Sequence, residues 1–230
     1  MDKKITIYHG SKQIVEVPTF GVGKKTNDFG LGFYCTKSND LAKEWAVSSL
    51  DDGFSNRYSL DTEYLKVLNL NSPEYTILNW IAVLVEHRVF SIKTPVARRA
   101  KQYLTDNFGV NVNAFDLIVG YRADDSYFDY AEAFVNNGIT VEQLSRAMKL
   151  GKLGEQIVLK SQFAFSKIKY EGFENAEKEK YYVLRKARDE EANETYFSIL
   201  EEETDGLYIQ DIIRGGIKND DPRIPRNISE

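Results

Sequence analysis

The chain is poor in sulfur, histidine and proline. A single cysteine, Cys35, in 230 residues excludes an intramolecular disulfide framework and a cysteine-rich zinc site. Two histidines, His9 and His87, argue against a multi-histidine centre, and no metal is expected. No apolar stretch approaches the ~18–20 residues of a transmembrane helix. After Met1-Asp2-Lys3-Lys4 an alternating strand pattern begins at once, without the apolar region of a signal peptide. The expectation is therefore a cytoplasmic chain with no membrane partner. Five prolines and no low-complexity run before the tail argue against disorder. Neither sign of charge dominates: 30 Lys and Arg face 35 Asp and Glu, a net −5, which argues against a general nucleic-acid coat but not against a local basic groove.

What is present fits one soluble globular unit, at 42% apolar and 28% charged residues. A chain of this length buries roughly 70–75% of its unfolded surface and needs no staples. Aromatics are plentiful: 14 Tyr, 13 Phe and 2 Trp can fill a core and also build stacking pockets for planar ligands.

Periodicity predicts a strand over Ile5–Tyr8 that ends in a turn at His9-Gly10-Ser11. A Gly- and Lys-rich loop over 18–32 leads to a short strand, Phe33–Thr36. Ser38 or Asn39 caps a helix to about Ser49, with Leu41, Ala42, Trp45 and Ala46 on one face. A strand over Tyr64–Leu70 precedes helices over Glu74–Val89 and Pro95–Asn107. Phe115–Val119 reads as an apolar strand. Helices over Ser126–Asn136 and Thr140–Leu150 are split by Asn137-Gly138. On a strand over Glu155–Lys160, Ile157 and Leu159 face one way, Gln156 and Val158 the other. A charged helix over Lys178–Glu203, read as a solvated face, and a short one over Tyr208–Arg214 complete the chain. The expected domains are a core at 1–174, C-terminal helices at 175–217 packed on it, and a flexible tail at 218–230.

Three segments carry residue types suited to chemistry. In Tyr8-His9-Gly10-Ser11, an imidazole at a strand end can hydrogen-bond a ribose hydroxyl. The glycine beside it lets a flat amide approach the backbone. In Asp28-Phe29-Gly30-Leu31-Gly32-Phe33-Tyr34, the glycines flank a turn where a phosphate or ribose could come near the main chain. Trp45 follows eleven residues after Tyr34, and the two rings could lie on either side of a planar cation, gaining about 0.5–2 kcal/mol. Glu155-Gln156 opens the late strand.

Together these segments resemble the His–Tyr–Glu class of ADP-ribosyltransferases, the class of diphtheria toxin and the poly(ADP-ribose) polymerases. They resemble more closely an uncharacterised bacterial family of that clan, domain of unknown function 3990. That likeness adds Ala42 to Ala46, Phe115 to Gly120, Ala123-Asp124-Asp125, Lys152 to Gln156 and Asp211 to Arg214, and covers about residues 5–217. The resemblance implies an α+β fold with a split, twisted sheet, an NAD cleft and surrounding helices. It implies a mono-ADP-ribosyltransferase that cleaves NAD, its co-substrate, and passes ADP-ribose to a protein or nucleic acid. A toxin restrained by an antitoxin or immunity protein fits the same class. His9, Tyr34 and either Gln156 or Glu155 would be catalytic. His9, Gly10, Ser11, Phe29, Gly30, Gly32, Tyr34 and Trp45 would bind the co-substrate.

The departure from the class lies at the late strand. The 3990 register puts Gln156 in the pocket; the polymerase register puts Glu155 there. Gln156 is the favoured reading, and a glutamine can hydrogen-bond the ribose but supplies neither negative charge nor a general base. Asp124 and Asp125 could then activate the acceptor, or simply cap the helix that follows. Arg122 could meet the phosphates or form a surface ion pair. A binding module without turnover and an NAD glycohydrolase are the rival functions. A Cys35–His9 thiol protease lacks an oxyanion-hole signature.

Overall fold

A computed structural model describes residues 3–123, 125–150, 154–201 and 205–227, and excludes the side chains of Asp125, Ser126, Lys149 and Leu150. The fold is α+β, with two sheets. The first is antiparallel, in the order β1 (Lys4–Ser11), β3 (Gly53–Asp61), β7 (Ile168–Ala176). The second is mixed, in the order β2 (Phe33–Cys35), β6 (Glu155–Leu159), β5 (Leu117–Tyr121), β4 (Val67–Asn69), with β4 and β5 parallel. An antiparallel bridge, Tyr8 to Thr36, joins the two sheets.

Strand alternation decides which residues fill the space between them. Ile7, Tyr58 and Leu60 from the first sheet meet Cys35, Leu117, Val119, Ile157 and Leu159 from the second in one buried cluster. The opposite face of the second sheet offers Ile118 and Val158 to a larger core. That core is completed by α2 (Ile77–His87), α3 (Pro95–Phe108), α4 (Asp125–Val135), α5 (Val141–Leu150) and α8 (Ile209–Arg214). Helix α2 is apolar on nearly every side and is buried from Ile77 to Val85, as an all-round hydrophobic helix must be.

Helix α1 (Asn39–Ala46) packs on β1 and β3 and starts where expected, with the Ser38 hydroxyl accepting from the Leu41 N–H at 3.2 Å. The long α7 (Lys178–Glu201) lies against α1, where Arg188 grips the buried Glu44 carboxylate with two nitrogens, at 2.9 and 3.0 Å. A short α6 (Gln162–Ser166) links β6 to β7. No helix among the described residues is long and apolar enough to cross a membrane.

Several expectations are corrected. His9-Gly10-Ser11 is strand, not turn, because it pairs with Asn56, Ser55 and Phe54. The central strand β3 and its neighbour β7 are not among the expected strands: Ser55-Asn56-Arg57 breaks the alternation of β3, whereas β7 does alternate over Ile168-Lys169-Tyr170-Glu171. Tyr64 is in the left-handed region (φ 68°), and the strand expected from it begins only at Val67. The end of the chain is not frayed through residue 227. Ile224 and Asn227 are buried, and the Asn227 side chain donates to the Leu70 carbonyl at 2.6 Å.

Candidate functional site

The two sheets part directly beyond the Tyr8–Thr36 bridge, and a cavity of about 610 Å³ opens there. Ligand pockets typically span about 300–1,000 Å³. The loop between β1 and β2 roofs it with Val15, Val17 and Val22, the last two largely exposed. Strand and helix positions aim His9, Tyr34, Trp45 and Gln156 into this one space from β1, β2, α1 and β6.

His9 is locked. Its Nδ1 lies 2.7 Å from the Tyr34 carbonyl, which can only accept, so Nδ1 carries the proton and Nε2 is left as an acceptor. Burial lowers its pKa, partly offset by that hydrogen bond, and the imidazole is neutral near pH 7. Phe33 packs tilted against the ring at 4.4 Å. In the unfolded chain the imidazole titrates near 6.5, so unfolding takes up protons below that pH. The stability due to neutral His9 is thus complete above about pH 6.5 and is lost as the pH falls toward the lowered folded value. His87, also lowered chiefly by burial, acts in the same sense. The melting temperature is expected to fall from pH 7.5 to 5.5, and His9→Gln should flatten that decline; thermal melts across the range check this.

Tyr34 is held by its hydroxyl, which donates to the Gly30 carbonyl at 2.7 Å and accepts from the Phe29 N–H at 3.0 Å. Gly30 adopts φ +72°, a conformation a side chain would strain, and this turn presents both partners. Burial, foremost, raises the phenol's pKa, so it remains a donor. The Trp45 indole Nε1 is buried without a hydrogen-bond partner among the described residues, and the Arg122 guanidinium lies over its ring at 4.6 Å.

Gln156, 3% exposed, turns its amide nitrogen to the Asp28 carboxylate at 2.7 Å. Glu155 points to the other face and lies outside the cavity lining, bonded by Asn71 at 3.1 Å and facing Lys37 at 3.5 Å. Period-two alternation thus separates the two candidates, with Gln156 in the cavity.

Of the other residues singled out, Gly32 lines the cavity and Phe29 is core. Gly30 borders a second cavity of about 460 Å³ on the far side of the loop. Ser11 lies outside the cavity lining, its hydroxyl donating to the Gln13 carbonyl and accepting from the Asn56 amide at 3.0 Å. Gly10 has a structural reason of its own: a Cβ there would fall 1.9 Å from the Ala42 carbonyl oxygen on α1. Its backbone still has a place in the site. Tyr8 directs both its N–H and C=O to Thr36, so by alternation Gly10 directs its own to the same edge, where β1 and β2 no longer pair. Asp124 and the Asp125 side chain lie outside the described residues. Cys35 is buried in the inter-sheet core, where burial raises its pKa, the opposite of an activated thiol.

The sequence reading missed Asp28, Arg88 and Arg185 as site residues. Asp28 stood inside a quoted motif, and its role shows only when Gln156 is placed beside it. Arg88 ends α2, where a cation merely complements the helix dipole. Arg185 is one charge among many on α7. With Arg122 these make three arginines on one cavity against the Asp28 carboxylate, in a chain of net charge −5. That surplus suits a ligand carrying phosphates.

The sequence profile of a family described as "Protein of unknown function (DUF3990)" matches residues 5–170. The match ends within β7, so α7 and its Arg185 lie beyond it. No curated protein and no solved structure matches the chain.

Proposed function

Since the chain belongs to the DUF3990 family, whose description names no activity, we propose its function from the site: NAD-dependent mono-ADP-ribosyl transfer to a macromolecular acceptor, on an ADP-ribosyltransferase-like fold. One observation carries this reading. His9, Tyr34, Trp45 and Gln156, named in the sequence for their likeness to that enzyme class, line one cavity from four separate elements. Arginines line the same cavity.

The chemistry follows from the parts. The rings of Tyr34 and Trp45 hold nicotinamide, which takes the place of the Arg122 guanidinium lying 4.6 Å over Trp45. The edge amides of Gly10 pair with the carboxamide. His9 Nε2 accepts from a hydroxyl of the adjoining ribose, and Gln156 Oε1 from its 2′-hydroxyl. Arg122, once off the Trp45 ring, and Arg185 receive the pyrophosphate, while Arg88 stays on Asp28. The bond from the ribose C1′ to the nicotinamide nitrogen then breaks, its electron pair leaving with nicotinamide. An acceptor nucleophile bonds to C1′ of the oxocarbenium-like sugar and loses its proton to solvent. Preorganised electrostatics, without a covalent intermediate on the enzyme, lowers the barrier. The acceptor is a protein or a nucleic acid. The reaction is placed in the cytoplasm, and an antitoxin or immunity protein is the expected restraint.

NAD titration by calorimetry, followed by assay of nicotinamide release, tests the reading; a protein that neither binds nor cleaves NAD would remove it. The strand register gives a sharper expectation. Gln156→Ala should reduce nicotinamide release by about 100-fold, whereas Glu155→Ala, remote from the cavity, should stay within about 3-fold of the parent. The reverse order would place the wrong residue in the pocket.

A further inference from the structure

Glutamine at position 156 leaves the proposed reaction without the carboxylate that would steady an oxocarbenium-like sugar. The cavity nevertheless holds one, from another part of the chain. Asp28, 4% exposed, precedes β2. Its Oδ2 accepts from the Gln156 amide at 2.7 Å and from the Ala123 N–H at 2.9 Å. Its Oδ1 faces Arg88 at 3.2 Å, and Arg88 is itself steadied over the Phe128 ring at 4.5 Å. The loop before β2, the end of α2 and the end of β5 thus converge on one buried carboxylate, an arrangement that is costly without such partners.

The geometry restricts Gln156 to one orientation. An unconstrained amide can present either its oxygen or its nitrogen to a ligand. Burial raises the pKa of Asp28, but the Ala123 N–H on Oδ2 and the Arg88 guanidinium on Oδ1 oppose it and hold the carboxylate as an acceptor, so the Gln156 nitrogen turns to it and Oε1 is the end left for the ribose. We propose that Asp28 is the positioning residue for Gln156 in ADP-ribosyl transfer, fixing its carbonyl oxygen toward the ribose and supplying across a 2.7 Å hydrogen bond the negative charge that glutamine lacks. The inference rests on the function proposed above. A role confined to tying the loop to the end of β5 predicts otherwise: lower stability and weaker NAD binding, with turnover of bound NAD intact.

The test measures nicotinamide release over a range of NAD concentrations, with melting curves, for the parent, Asp28→Asn, Gln156→Glu and the double variant. Asp28→Asn should lower kcat about 100-fold and change KM less than about 3-fold. Gln156→Glu should bring no gain, because two carboxylates this close share one proton and the site keeps a single charge. The double variant restores one amide and one carboxylate in reversed order, and should exceed Asp28→Asn by about 10-fold or more. A parental kcat in Asp28→Asn overturns the inference. So does a gain of about 10-fold or more in Gln156→Glu, which would mean the native site lacks the charge. If Asp28→Asn does not fold, Gln156→Glu still decides, since it leaves Asp28 in place. A parent protein that releases no nicotinamide overturns the function and this inference together. A parent that does, with Asp28→Asn indifferent, overturns the inference alone.

Discussion

His9→Ala is expected to reduce nicotinamide release from NAD by about 10²–10³-fold. The loss follows from what the imidazole is arranged to do. Its Nδ1 proton is committed to the Tyr34 carbonyl at 2.7 Å, so Nε2 has a fixed direction and a fixed role as acceptor. Alanine removes the only group at that position able to receive a ribose hydroxyl, and the ribose is then free to sit out of line with Gln156. The fold should tolerate the change. One hydrogen bond at a partly exposed site is worth about 1 kcal/mol, or about 2–4 °C in a domain of this size. Steady-state rates and a thermal melt read the two effects apart. If the variant unfolds at ambient temperature, His9 is a structural residue; if it retains the parental rate, NAD does not use this cavity.

Gly10→Ala should give the largest loss of stability of any single methyl group added near the site. The Cβ would lie 1.9 Å from the Ala42 carbonyl oxygen and 3.0 Å from the Ala46 nitrogen, both backbone atoms of α1. Neither can step aside alone, so the helix must back away from β1. Overpacking of this kind costs about 3 kcal/mol, roughly 6–12 °C of melting temperature. Because Trp45 rides on the same helix, NAD affinity should fall as well. This coupling separates Gly10 from its neighbour: His9→Ala strikes turnover and spares the fold, whereas Gly10→Ala strikes the fold first. An unchanged melting curve in Gly10→Ala would mean that α1 and β1 are not so close.

Much of the fold was legible because hydrophobic periodicity and capping agree locally. The Ser38 cap, Pro95 opening α3 and Asn137-Gly138 closing α4 all follow from side-chain and backbone chemistry within a few residues. β3 was not legible: Asn56 and Arg57 are held by pairing with distant strands, and such pairing leaves no local trace, whereas β7 carries a signal in the alternating Ile168-Lys169-Tyr170-Glu171. The site divides in the same way. His9, Tyr34, Trp45 and Gln156 stand in short contiguous motifs, so a resemblance finds them. Asp28, Arg88 and Arg185 acquire meaning only from what lies across the cavity, and sequence spacing says nothing of that. Glu155 against Gln156 is a question of one residue's register, which the β5–β6 pairing of Gly120 with Gln156 resolves geometrically.

The most direct measurement follows the adenylate half of NAD. The purified protein is incubated with adenylate-labelled NAD and a whole bacterial lysate, beside a His9→Ala control. The account predicts nicotinamide release together with label on a protein or a nucleic acid, both lost in the control. Free ADP-ribose with no macromolecular label, or NAD left intact, would contradict it.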